Sequence, residues 1–239
     1  MIKNTDRIFV AITGLIAAAC MMYLAAPRLI VAFKAFGGDA IVAEINAGGR
    51  PDVESVRELV ANRAALLAVN GNPQYARDLS RAYHALSLNP ERAEQVPVVA
   101  AGRDASIVEL TLLPLNGAAW WRLSLMEYVQ NGFPTRKTAN YLMRSLRDQP
   151  NALVFTWVRL GDIIEHWGYF NPAERRMIGA HVAEMWRRYP LRENVLKAAS
   201  QPFYRGVLRA ALMEDNPDVL KQFDLALINF DKRRSREKK

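Results

Sequence analysis

The stretch NGAAWWRLSLMEYVQNGFPTRKTANYLMRSLRDQP, Asn116 to Pro150, decides the fold. Asn116 is a good N-cap, and Trp120, Leu123 and Glu127 follow it at helical spacing. Asn131-Gly132-Phe133-Pro134 stops that helix. Thr135 caps the next, in which Ala139, Leu142, Met143 and Leu146 make one apolar stripe before Pro150 ends it. The pattern then recurs. Leu153, Val154, Trp157, Leu160 and Ile164 form a stripe, Gly168 to Asn171 interrupt it, and Pro172 opens a helix that runs to Pro190. Two helical hairpins in succession, each closed by proline, predict an α-solenoid of stacked antiparallel pairs.

Working outward, Asp52 is the N-cap of a helix whose face is Val53, Val56, Leu59, Val60, Ala64 and Leu67. Asn70-Gly71-Asn72-Pro73 turns the chain into a second face of Tyr75, Leu79, Ala82, Tyr83 and Leu86, which Asn89-Pro90 ends. From Glu91 to Gly102, Pro97 and Gly102 argue against helix, whereas Ala105 to Leu112 reads as helical up to Pro114. Beyond Pro190 come a short helix over Leu191 to Ala199, one opened by Pro202, and one opened by Pro217 with Val219, Leu220, Phe223, Leu227 and Phe230 inward. Residues 52–230 therefore form an all-α body. Asp231 to Lys239, with six basic and two acidic residues, reads as a disordered basic tail.

The amino terminus is of another kind. After a short polar head, residues 1–7, the segment Ile8 to Pro27 has no charge and is long enough to span a bilayer as a helix. Three fates fit it: a retained anchor, which its length favours; a cleaved signal, from the alanines between Ala17 and Ala26; and a lipoprotein signal at Cys20, which Met21-Met22-Tyr23-Leu24 argue against. Leu29 to Phe36 extends the span into the interface, with Arg28 and Lys34 reaching for water. Gly37-Gly38 and Gly48-Gly49 predict a loose linker over residues 28–51 around a short helix at Ala40 to Ile45. The short head with Lys3 and Arg7 is easier to retain inside than the body, which is expected outside the cytoplasm, in the periplasm of a single-pass inner-membrane protein.

Composition narrows the function classes. Half the residues are apolar and 23% are charged, so the bulk folds. The net charge of +8 points to an anionic partner, lipid or glycan, with the tail as the first candidate for contact. No nucleic-acid motif accompanies that charge, and nucleic acid ranks last. The one cysteine excludes a disulfide within a single chain but leaves the compartment open.

Catalytic signatures are missing. There is no GxSxG, P-loop or dinucleotide fingerprint. His181 and Glu184 sit three apart on a helix, but two ligands do not make a metal site. Asp162, Glu165 and His166 form an acid-rich turn next to Trp167, read first as a solvated face and second as the acid pair of an envelope-glycan enzyme beside Trp157. No catalytic residue, cofactor or metal is assigned. The candidate partner surface is Trp121, Arg122, Arg136, Lys137, Arg144 and Arg159, an aromatic and basic set on the central hairpins. Trp120 and Trp121 point about 100° apart on a helix, which leaves one of them less buried.

Ala85-Leu86-Ser87-Leu88-Asn89-Pro90, then Trp120, Leu123 and Ser124, then Ser145-Leu146 with Pro150, resemble the ends and start of tetratricopeptide repeats. The resemblance covers Asp52 to Pro190. It departs from the family in its turns, about two residues longer, and in prolines that miss the period of about 34 residues. It implies stacked helix pairs that hold a protein or peptide on a concave face. The anchor together with Pro114 to Leu123 also resembles small anchored repeat proteins of proteobacterial surface-polysaccharide assembly, which implies an integral membrane or envelope protein partner and no enzyme activity.

Overall fold

The computed structural model describes residues 4–88, 95–150, 153–188 and 191–237. Among them are eleven α-helices, one 3-10 turn and no strand. The chain divides into two compact units, Met1–Glu91 and Arg92–Lys239.

The first unit holds α1 (Asn4–Asn46), α2 (Val53–Asn70) and α3 (Pro73–Ser87). The expected linker over 28–51 is largely helix, because α1 runs unbroken through Pro27 and Gly37-Gly38 to Asn46. Glycine lowers helix propensity by about 1 kcal/mol, and packing outweighs it here. Gly38 is buried against α2, where an added Cβ would lie 2.8 Å from Leu59 Cδ1 and 3.1 Å from Arg63 Nη1. Asp52 caps α2 through the Ser55 amide, and Asn72 caps α3 through that of Gln74. Gly71 ends α2 at φ 61°, a conformation that favours glycine.

One apolar cluster of this unit is Val56, Leu59 and Ala82, with Ile41, Val42, Ile45, Val60, Ala85 and Leu86 against them, and Ala35, Leu66, Ala76 and Leu79 are buried as well. The buried stripe of α2 is Val56, Leu59, Arg63 and Leu66, and Ala64, placed on the face by sequence, is exposed. Arg63 takes the core position. Its guanidinium donates to Asp78 (3.2 Å), the Ala35 carbonyl (3.0 Å) and Asn62 Oδ1 (2.9 Å), and pairs with Asp39. One buried cation thus ties α3 and α1 to α2.

The second unit begins with α4 (Gln95–Leu112), α5 (Gly117–Asn131) and α6 (Arg136–Asp148). Helix α4 overturns the expectation that Pro97 and Gly102 exclude helix. Pro97 falls in the first turn, where amide hydrogens have no intrahelical acceptor. Asn116 caps α5 and Thr135 caps α6 with a capping box, as their positions predict. Helices α5 and α6 run antiparallel along a seam of small residues. Ser124 Oγ donates to the Thr138 carbonyl (3.0 Å) and Ser145 Oγ to that of Gly117 (2.6 Å). An added Cβ on Gly117 would stand 2.7 Å from the Ser145 carbonyl oxygen, so only glycine permits this approach.

Then come α7 (Leu153–Glu165), the 3-10 turn Trp167–Tyr169, α8 (Pro172–Arg187), α9 (Leu191–Ala198), α10 (Pro202–Met213) and α11 (Pro217–Glu237). Helix α8 crosses α10 so closely that an added Cβ on Gly179 would meet the Ala211 carbonyl oxygen at 2.1 Å. One core runs from Trp121 through Leu142, Ile163, Val182 and Trp186 to Phe223 and Leu227. The tail expected to be disordered is helical as far as Glu237. Asp231 pairs with Arg205 at 3.0 Å, and the basic residues of the last turns suit the negative end of the helix dipole. Lys238 and Lys239 lie outside the described residues.

Candidate functional site

Three of the six residues expected to face a partner are interior. Trp121 is buried and its indole N–H donates to Asp162 Oδ2 at 2.6 Å. Arg122 is buried with Glu109 (2.6 Å), whose other oxygen accepts from the Asn116 side chain (2.6 Å) that also caps α5. Arg159 is buried and donates to the carbonyls of Ser145 (2.8 Å) and Gln149 (2.9 Å) at the end of α6. Burial draws its pKa down to about 10, so it stays charged at neutral pH. These cations satisfy acceptors inside the unit and are not displayed to a partner.

The other three are exposed, and each is held by a carboxylate. Arg136 forms a fork to Glu174 (2.6 and 2.8 Å), Lys137 meets Glu127 (2.8 Å), and Arg144 meets Asp148 (2.9 Å) with its guanidinium 5.6 Å from the Trp120 ring centre. Trp120 is the less buried member of the tryptophan pair and donates to the Pro114 carbonyl. These pairs brace the outer faces of α5, α6 and α8 and leave no common basic patch among the six.

The acid-rich turn is mostly interior, not a solvated face. Asp162 is half-buried and His166 buried, while Glu165 is exposed and accepts from the Tyr204 hydroxyl at 3.1 Å. Burial pushes Asp162 up to about 6, opposed by the Trp121 indole and aided by the Glu165 charge. His166 donates through Nδ1 to the Asp162 carbonyl, and burial lowers its pKa. The side chain of Trp157, the aromatic partner of the glycan reading, lies outside the described residues. Half-buried His181 is drawn down to about 4, chiefly by burial. No group of three metal-ligating residues occurs among the described residues.

A cluster of basic side chains lies where α9 meets the end of α11. Arg192, Lys197, Arg233 and Arg234 line a groove of about 680 Å³ together with Leu196 and Phe230. Glu193 is its one acid and pairs with Lys197 at 3.4 Å. Arg192 is held in place by the Trp186 carbonyl (3.1 Å) and the Trp186 ring, 4.9 Å away. Sequence reasoning put the tail charges on a free chain. It missed this groove because Arg192 and Lys197 meet Arg233 and Arg234 only through tertiary packing. Four cations, one acid, the Ser200 hydroxyl and two apolar side chains suit an anionic group with some hydrocarbon or ring surface.

Of the described helices, α1 alone is long and apolar enough to cross a membrane. Every side chain from Ala11 to Ile30 is exposed, including Leu15, Ile16, Met22, Tyr23 and Leu24. The chain has no significant match to a protein-family model, a curated protein or a solved structure.

Proposed function

We propose that this chain is a non-catalytic, membrane-anchored adaptor of the bacterial cell envelope. It holds an integral membrane or envelope protein beside the bilayer, in the assembly or export of surface polysaccharide. In this reading α1 is a retained single-pass anchor in the inner membrane, and the helical units stand in the periplasm. The pairs α2–α3 and α5–α6 are degenerate tetratricopeptide-like pairs of an α-solenoid. The observation that carries the reading is α1 itself, whose exposed stretch from Ala11 to Ile30, uncharged as far as Pro27, passes without a break into a helix clamped by buried Arg63. Such continuity ties the folded part to the bilayer at a fixed distance and raises its effective concentration for membrane partners. The groove of Arg192, Lys197, Arg233 and Arg234 is the surface for an anionic lipid or glycan.

Extraction of native membranes with alkaline carbonate tests the anchor, and affinity purification of the full chain in mild detergent tests the adaptor. The chain should stay with the membrane pellet and bring down an integral membrane protein. Release by carbonate would refute the first part. Recovery of the chain alone across several detergents would refute the second.

A further inference from the structure

Side chains of α1 are covered in a regular stripe: Val31, Ala35, Gly38, Val42 and Ile45 are buried or half-buried. Toward the amino terminus the cover ends at Val31, and the exposed stretch begins at Ile30, with Arg28 as its one charge as far as Ala11. The register between α1 and α2 explains where it ends. Asn62 donates to the Lys34 carbonyl (2.8 Å) and Arg63 to the Ala35 carbonyl (3.0 Å), while Leu59 lies against Gly38. The helices are antiparallel, so six further residues along α2, about 9 Å, bring Val69 level with Leu29.

The sequence of α2 changes at the same point. Its last turns, Ala64 to Val69, carry no polar side chain, although Ala64, Ala65, Ala68 and Val69 are exposed and Val69 is 74% accessible. A helix end open to water would be expected to carry charge there. On α1 at this level, Phe33 and Phe36 are exposed and stand beside Arg28 and Lys34, the apolar and basic mixture suited to a lipid headgroup zone.

We propose that the end of α2 and the α2–α3 turn, Ala65 to Asn72, rest in the headgroup region of a phospholipid bilayer, so that the hairpin stands on the membrane its own anchor enters. This rests on the anchor reading. Lipid covers α1 as far as Ile30, the hairpin covers it from Val31, and no length of helix between them is left to act as a stalk. The apolar tip meets lipid at the junction. The uncharged Asn70 and Asn72 of the turn hydrogen-bond without bringing a charge toward the hydrocarbon.

The test uses the full chain reconstituted in vesicles of phosphatidylcholine and phosphatidylglycerol, with an environment-sensitive fluorophore on one cysteine at a time. Native Cys20 reports the anchor. In a Cys20→Ala background, Val69→Cys reports the tip. Glu58→Cys reports a site on the same helix about 16 Å farther from the membrane. Spin-labelled lipid with the nitroxide near the headgroup should quench position 69 several-fold more than position 58, and iodide should do the reverse. Equal iodide quenching at 69 and 58, with Cys20 still quenched by lipid, would overturn the inference and leave the anchor standing. Iodide access at Cys20 would overturn both. Circular dichroism of each labelled variant guards against misfolding, and Ala68→Cys serves in place of position 69 if that variant misfolds.

Discussion

Arg63 offers the sharpest perturbation of the first unit. It is fully buried among Leu59, Leu66 and Ala35, in a unit whose buried apolar side chains are few, so its polar bonds carry much of the packing. Arg63→Ala removes the donors to the Ala35 carbonyl and Asp78, and leaves Asp78, itself buried, without its cation. Gln74 still donates to the other Asp78 oxygen (2.8 Å), which softens the loss without cancelling it. Stranding one partner of a buried pair costs about 3–5 kcal/mol. Burial already raises the Asp78 pKa, with Arg63 the first opposing influence, so its carboxyl should take up a proton at higher pH in the variant. Hydrogen exchange of the full chain in detergent is the assay, because α5 and α6 in the other unit provide an internal reference. Amides of α2 and α3 should lose protection by several orders of magnitude while those of α5 and α6 keep theirs. The double variant Arg63→Leu with Asp78→Leu should regain much of the loss, since it removes the stranded charge along with the pair. Unchanged exchange in α2 and α3 of Arg63→Ala, or a double variant no better than the single one, would refute this account of the clamp.

Three further predictions concern the second unit. Gly179→Ala drives a methyl into the Ala211 carbonyl and should destabilise the α8–α10 contact by about 1–3 kcal/mol or more, read as a fall in the thermal midpoint, whereas Gly206→Ala, with nothing within 4 Å, should not destabilise. Arg159→Met strands the carbonyls at the end of α6 and should cost about 1–3 kcal/mol per unmet acceptor, while Arg144→Ala on the surface should stay within about 1 kcal/mol in the same denaturation. Asp162 and His181 should oppose each other in acid. Asp162, raised from 3.8 to about 6, holds a proton the unfolded chain releases, so its contribution is lost as pH rises from about 4 to 6; His181, lowered from 6.5 to about 4, contributes stability that appears as pH rises through the same range. Each is worth about 3 kcal/mol at most, so Asp162→Asn should make stability climb from pH 4 to 6.5 and His181→Gln should make it fall, in denaturant titrations across that range.

What could be read from the sequence was local. The caps Asp52, Asn116 and Thr135 act on amides two or three residues away, and the glycines at 71 and 132 turn the chain with positive φ where they stand. Readings that failed rested on intrinsic preference where a distant neighbour decides. Gly37-Gly38 looks like a break until Leu59 and Arg63 are set against it. Pro97 looks like a break until the helix is seen to begin two residues earlier. The basic tail looks unstructured until Asp231 finds Arg205.

The candidate surface failed for a related reason, and its failure says where binding is to be sought. An arginine on a helix reads as solvent-facing because burying its charge is costly. That inference reverses when acceptors are waiting in the interior. Arg63 shows that one signal was present. It falls at the 3–4 spacing of Val56, Leu59 and Leu66, so the stripe itself contains the cation. Arg122 and Arg159 find their acceptors 13 residues upstream in Glu109 and 14 residues upstream in Ser145. The five candidate cations of the central hairpins therefore belong to the scaffold, Arg122 and Arg159 inside it and Arg136, Lys137 and Arg144 paired on its outer faces. The groove between α9 and α11 is different. Lys197 meets the exposed Glu193 at 3.4 Å, a weakly coupled surface pair, and the four cations line one groove. A binding surface needs charge that a ligand can reach and neutralise. On that criterion the ligand contacts of the proposed adaptor are to be sought in the carboxy-terminal groove, and not at the central arginines.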